Sequence, residues 1–213
     1  MAKILITSGP TRQYLDPVRY LSNASSGRMG AALAQAALEL GHDVTIVSGP
    51  VLIDYPALAN VVQVVSTDEM LHAAQELFEQ SDGAIGAAAP CDYMPRYVKS
   101  QKIAKTGEPL TLQLIETPDV VATLGQIKRD DQWVVGFALE TEDRRFRATV
   151  KLEKKHCDMI VSNGPSAIDS DENEVELLDA AGQVVAHLKG TKQHVADALL
   201  DEINRRLVGQ RNR

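Results

Sequence analysis

The sequence predicts an α/β chain: a Rossmann-like, doubly wound, mostly parallel sheet with an appended β-hairpin. Three observations carry that prediction. Short apolar runs, among them ILI from residue 4, DVTIVS from 43 and WVVGFA from 133, alternate with segments whose apolar residues recur at helical spacing. Only 4% of the residues are aromatic although 44% are hydrophobic, so Ala, Val, Leu and Ile supply the core, as suits strands covered on both faces. Between the first strand and the first helix lies a long polar stretch, 6–30, at the place where open α/β sheets bind ligands.

Taken in order, residues 4–6 read as a buried strand. The stretch after them holds Ser8-Gly9-Pro10, Arg12, Arg19, the run Ser22-Asn23-Ala24-Ser25-Ser26 and the pair Gly27 and Gly30. It reads as an anion cradle, in which glycines admit a ligand and a helix starting near Arg28 offers it free N–H groups. That helix runs over 29–40 and stops at Gly41. A second strand spans 43–48 and a third 61–65. Ser66 and Glu69 form a capping box for a helix reaching about 79. A fourth strand, 84–89, is small-sided. Residues 91–107, with Tyr93, Pro95 and Tyr97 and the cations Arg96, Lys99, Lys102 and Lys105, read as a mobile flap.

A strand is expected over 110–115, then a helix from Pro118 to about 128 capped by Thr117. Another buried strand covers 133–138, a basic helix 143–156, and a last core strand 159–162. The hairpin, about 174–188, turns through Ala180-Ala181-Gly182, and Thr191 caps a helix to about 207. The 210–213 tail is too polar to pack. No repeat interrupts this order, and residues 1–213 read as one domain.

The net charge of −7 argues against a nucleic-acid surface, while leaving room for local positive charge around a small anion. Cys91 and Cys157 have neither metal-ligand spacing nor a disulfide framework, which suits a reducing compartment. No apolar run approaches a membrane span, and strand-like residues at the start leave no room for a signal peptide. A cytoplasmic location is expected. At the carboxyl ends of the strands gather Arg12, Arg19, Asn23, Ser25 and Ser26, then Cys91 and Asp92, then Thr117-Pro118-Asp119, then Glu140 and Thr141. Such a rim suits a triphosphate beside a second phosphorylated compound. On the residues alone, an NAD(P)-dependent oxidoreductase and a non-catalytic nucleotide sensor stay open as alternatives. The former lacks a Gly-x-Gly-x-x-Gly after the first strand and an acidic end to the second.

The segments GPTRQYLDPVRYLSNASSGRMG, AAAPCDY, QKIAK, ETPDVV and VVGFALET stand in the order and spacing of phosphopantothenate–cysteine ligases, and the resemblance runs from about residue 3 to 207. It implies a two-step reaction. The carboxylate of 4′-phosphopantothenate attacks the α-phosphate of a nucleotide, CTP in preference to ATP, and L-cysteine then displaces the nucleotide monophosphate. Mg2+ is the implied cofactor, its ligands unassigned. A homodimer is implied too, and a phosphopantothenoylcysteine decarboxylase as a fused or separate partner.

By resemblance, Asn23 is tied to turnover of the acyl intermediate and Arg19 to the cysteine step, an ion pair with Asp16 being the alternative for Arg19. Lys102 is the flap lysine that meets phosphates. The family often has Lys-Ile-Lys-Lys where this chain has Lys-Ile-Ala-Lys, so Lys102 and Lys105 remain and the middle lysine is lost. Gly86, Ala87 and Ala88 border nucleotide and substrate, and Asp92 contacts the nucleotide. Pro118, Asp119, Val120 and Val121 with Phe137 flank its base, and Lys151 and Lys155 reach its triphosphate. Ser25, Ser26 and Gly27 belong with Asn23 and Ala88 to the substrate side. Cys91 is expected to be a small buried residue, not a nucleophile.

Overall fold

The computed structural model describes residues 1–140, 142–164 and 172–209. The central strand β1 (Lys3–Ser8) is buried from its second residue onward, and its side chains alternate between two cores. Ile4 and Ile6 face α1 (Arg28–Glu39) and α5 (Lys192–Ile203). Leu5 faces the opposite layer, α2 (Thr67–Phe78), α3 (Val120–Ile127) and α4 (Arg144–Lys154). The same alternation holds in β4 (Asp43–Ser48), β6 (Gly83–Gly86), β9 (Trp133–Leu139) and β10 (Met159–Asn163). Each strand therefore carries apolar side chains on both faces, as a sheet with helices on both faces requires.

With β5 (Asn60–Gln63), β11 (Glu172–Asp179) and β12 (Val184–Thr191), these strands make one eight-stranded sheet of order β12-β11-β10-β9-β6-β1-β4-β5. All pairings from β10 to β5 are parallel; β11 and β12 add antiparallel at the far side. The doubly wound sheet and its hairpin are thus as expected. The order in which strands are added reverses from β1–β4–β5 on one side to β6–β9–β10 on the other, and the crevice described below opens at that reversal.

Helix boundaries follow local chemistry. Ser66 and Glu69 make the expected capping box on α2. Gly41 ends α1 with φ 79°, where a side chain would be strained. Thr191 caps α5, its hydroxyl accepting from the His194 N–H, and a π-helical turn, Asn204–Val208, follows. The last residues, 210–213, lie outside the described part.

Three expectations need correction. Residues 6–30 are not one open loop: they contain an antiparallel hairpin of β2 (Arg12–Asp16) and β3 (Arg19–Ser22). Its outer face is tied by Tyr14 edge-on to Tyr20 at 5.5 Å and by the Arg12 guanidinium 4.5 Å over the Tyr20 ring, contacts that the polar composition concealed. The strand expected over 110–115 shrinks to β8 (Leu114–Glu116), which leaves the main sheet and pairs with β7 (Tyr93–Pro95). The cap of α3 is Asp119, whose carboxylate accepts from the Ala122 N–H at 3.0 Å. Thr117 instead donates its hydroxyl to the Cys91 carbonyl at 2.6 Å, tying the α3 approach to the segment after β6. Lesser shifts are that β6 stops at Gly86 rather than 89 and that α4 begins at Arg144.

Candidate active site

A crevice of about 500 Å3 opens at the carboxyl ends of β1, β6, β9 and β10. One wall is the cradle, Asn23 to Gly30. Gly27 precedes α1 in the left-handed region (φ 77°), and a Cβ there would lie 2.8 Å from Val51 Cγ1. At Gly30 the obstacle is space: a Cβ would come within 2.1 Å of Ser8 Oγ at the end of β1. Helix α1 can approach the sheet only because that side chain is missing, and Gly27 has no side chain to cap its start.

The floor is the chain leaving β6. Past Gly86 it departs from the sheet, with the Ala87 N–H donating to the Thr7 carbonyl and the Ala89 N–H to the Gly9 carbonyl. This places Ala87, Ala88, Ala89 and Pro90 opposite the cradle, their small side chains leaving room. Asn23 spans the gap. Its amide donates to the Pro90 carbonyl at 2.9 Å and reaches Asp92 Oδ2 at 3.5 Å. Behind them Thr11 and Thr67 share a 2.8 Å hydrogen bond, and Thr11 accepts from the Cys91 N–H at 2.8 Å. Cys91 is buried, as expected.

The third wall carries Phe137 and Leu139 from β9, Asn163 from β10, Asn173 from β11, Lys151 from α4 and Lys155 from its C-cap. The lysines lie four apart, one turn of helix, so both reach the same wall. Lys155 Nζ is 3.0 Å from Asp119 Oδ2, and Lys151 Nζ is 2.6 Å from Glu140 Oε1, an ion pair outside good hydrogen-bonding angles. Asn163 Oδ1 is buried and, among the described residues, has no hydrogen-bond partner. A buried acceptor left without a partner costs free energy unless a ligand or water completes it. Asn163, Asn173, Met29 and Lys192 line the crevice without having been singled out by sequence. The rule that placed Asn23 and Asp92, proximity to a strand's carboxyl end, applies to Asn163 as well.

Asn23, Ser25, Ser26, Gly27, Ala87, Ala88, Asp92, Phe137, Lys151 and Lys155 therefore meet in one crevice. Other sequence candidates stand behind it. Gly86 packs against Val121, where a Cβ would come within 2.4 Å of Val121 Cγ2. Val120 is buried in the α2–α3 core, and Asp119 acts through Lys155. Pro118 is not among the lining residues. Thr141 lies outside the described part. Arg19 and Lys102 are close to each other but do not line this crevice. The Arg19 guanidinium donates to Asp16 Oδ2 at 2.5 Å and to the Ile103 carbonyl at 3.1 Å, so the ion-pair alternative for Arg19 is realised. Burial by itself would raise the Asp16 carboxyl. The N–H groups of Ile103 and Val18 and the Arg19 guanidinium more than offset it and hold the pKa at about 2.

A family model described as the DNA/pantothenate metabolism flavoprotein C-terminal domain matches residues 1–207. The chain belongs to this family.

Among curated relatives, the Coenzyme A biosynthesis bifunctional protein CoaBC of Haemophilus influenzae is 40% identical over 205 residues, covering 95% of this chain and 51% of that protein. Its counterpart in Escherichia coli strain K12 is 41% identical over 207 residues, covering 94% and 51%. The chain spans about half the length of these relatives. A crystal structure of the C-terminal domain of a CoaBC superposes with a TM-score of 0.83 at 38% identity, covering 97% of this chain and 96% of that one. At 15% identity, a Cab2 H337A mutant in complex with phosphopantothenate-cysteine shares the fold, with a TM-score of 0.79.

No group of three or more His, Cys, Asp or Glu able to hold a metal occurs among the described residues. Among the lining residues Asp92 carries the carboxylate that would hold a magnesium ion, were one to bind. No described helix is long and apolar enough to cross a membrane.

Proposed function

We propose that this chain joins 4′-phosphopantothenate to L-cysteine in coenzyme A biosynthesis, through an acyl-nucleotide formed from CTP. The observation that carries the proposal is the single crevice in which a neutral amide donor, Asn23, faces two lysines across small-sided backbone. The match to a CoaBC C-terminal domain over nearly the whole of both chains supports the same reading.

The chemistry divides between the walls. In the first step a carboxylate oxygen bonds the α-phosphorus and pyrophosphate leaves, so anions are brought together and cations must offset them. Lys151 and Lys155 supply that charge. For them the carboxylates of Glu140 and Asp119 act as placeholders, which a polyphosphate displaces. Phe137 offers a face to the base and Asn163 Oδ1 an acceptor for an amino group. Mg2+, when bound with Asp92 and the nucleotide, adds positive charge to the phosphates.

In the second step the cysteine amine bonds the acyl carbon, the nucleotide monophosphate leaves, and a proton passes to solvent. Negative charge builds on the acyl oxygen meanwhile. The Asn23 amide, held by the Pro90 carbonyl through one hydrogen, turns its other from the long contact with Asp92 Oδ2 at 3.5 Å to that oxygen.

The reading includes a homodimer. Arg19 and Lys102 do not line their own chain's crevice, while Leu110, Leu112, Leu114 and Ile115, which follow the flap, are exposed and β12 is a sheet edge. A two-fold partner would bring the flap to the neighbour's crevice. It also includes a decarboxylase supplied by a fused or separate chain, and a cytoplasmic setting. The test is pyrophosphate release with phosphopantothenate and CTP or ATP, with and without cysteine, alongside pyrophosphate–nucleotide isotope exchange. Exchange without cysteine and amide formation with it are expected; neither occurring with either nucleotide would refute the proposal.

A further inference from the structure

Asp16 sits in the β2–β3 turn, yet its residue is 0% exposed. One oxygen does ordinary turn work: Oδ1 accepts from the Val18 and Arg19 N–H groups, both at 2.9 Å. An asparagine would serve that purpose equally well. The other oxygen is turned to the flap. Oδ2 accepts from the Ile103 N–H at 3.0 Å and from Arg19 Nη1, which in turn donates to the Ile103 carbonyl at 3.1 Å. Both main-chain polar groups of Ile103 are thereby held, by residues 87 and 84 positions away in sequence.

A second main-chain bond, Lys99 N–H to the Leu15 carbonyl at 2.9 Å, lies four residues earlier on the flap. Removing a carboxylate from water is costly unless it is paired and fully hydrogen-bonded, and here the pairing partner and one donor belong to the flap contact. Because the contact reads only backbone, it holds the segment in one register whatever side chain stands at 103. The neighbouring lysines, 102 and 105, then project from a fixed point.

We propose that Asp16 is a positioning residue: with Arg19 it clasps Ile103 and so pre-orders the basic flap for the polyphosphate. The consequence for catalysis rests on the ligase reading; the clasp itself does not. Without the clasp, the flap must be ordered by the nucleotide at the expense of binding, and the chemistry at saturation is retained.

Asp16→Asn keeps the Oδ1 turn bonds and sets an amide donor against the Ile103 N–H. Ile103→Pro removes that N–H without touching Asp16, and so carries the test if Asp16→Asn fails to fold. Limited trypsin digestion of the full chain is followed by mass spectrometry of the cut after Lys105, the Lys102 bond being protected by proline in the second variant. Both variants are expected to be cut there about tenfold faster than the parent, the loss of one charged hydrogen bond. The KM for the nucleotide should rise about as much, with kcat within about twofold. An unchanged cut rate in Ile103→Pro, or a fall in kcat at unchanged KM, overturns the proposal. If the parent chain makes no product at all, the ligase reading falls, while the digestion still decides the clasp.

Discussion

Asn23→Asp places a second carboxylate at the rim of the crevice, and the structure allows its effect to be worked out. The amide nitrogen it replaces is 3.5 Å from Asp92 Oδ2 and 2.9 Å from the Pro90 carbonyl. Two unit charges at that separation repel by about 1 kcal/mol in bulk water and by about 5 kcal/mol at an effective dielectric of about 20. Asp92 is exposed, so screening favours the lower end. The repulsion should then raise the carboxyl introduced at 23 above its unfolded value. The sign follows: a raised folded-state pKa leaves stability intact below the unfolded value near 4 and takes it away as pH rises past the folded value. We predict that Asn23→Asp matches the parent in urea at pH 3.5 and is weaker by about 1 kcal/mol at pH 7. The catalytic loss is larger. A missing oxyanion donor costs about a hundred- to a thousandfold, and because the first step does not use it, the acyl-nucleotide should accumulate. The assay is quenched-flow chromatography of phosphopantothenate and CTP with cysteine present. Normal amide formation without accumulation would refute the role given to Asn23.

Three further outcomes follow from other parts of the molecule. Trp133→Ala empties a site that is 1% exposed and should destabilise the chain by about 3–5 kcal/mol, read as a shift in the urea midpoint. Gly86→Ala would push a methyl to 2.4 Å from Val121 Cγ2 and should lower stability by about 1–3 kcal/mol, with weaker nucleotide binding by calorimetry as α3 is displaced. Burial pushes the Cys157 thiol up to about 12, so a disulfide reagent at pH 8 should leave it unmodified in the folded chain and label it at once in denaturant.

The sheet was legible because its strands are short and apolar on both faces, so the sequence pattern and the burial pattern coincide, as in DVTIVS. Capping was legible where it depends on side chains a few residues apart, as at Ser66 and Glu69. At Thr117 and Asp119 two capping residues compete within three positions, and only the tertiary bond from Thr117 to Cys91 decides between them. The β2–β3 hairpin was missed because its cohesion comes from Arg12, Tyr14 and Tyr20 on the outside of the molecule, and from a turn whose buried carboxylate is satisfied by a residue 87 positions away. Among the crevice residues, Ala87, Ala88, Phe137, Lys151 and Lys155 were reached through the family resemblance, and Asn23, Ser25, Ser26 and Asp92 because each follows a strand. Asn163 does too, but an asparagine ending a strand is unremarkable until its carbonyl proves to be buried without a partner among the described residues. The separation of Arg19 and Lys102 from the crevice could not be read from spacing, since nothing in the linear order says which way a flap folds.

The outer face of α1, the helix whose start forms the cradle, packs against α5, Lys192–Ile203, with Val195, Ala196, Leu199 and Leu200 in their common core. Helix α5 follows the hairpin, more than 150 residues downstream of α1. A ribosome therefore delivers the helix that starts at the cradle well before its cover, so the nascent chain carries an uncovered apolar stripe until α5 emerges. Loss of α5 by a nonsense codon or a protease would strip the cradle of its backing while leaving every crevice residue before Lys192 in place.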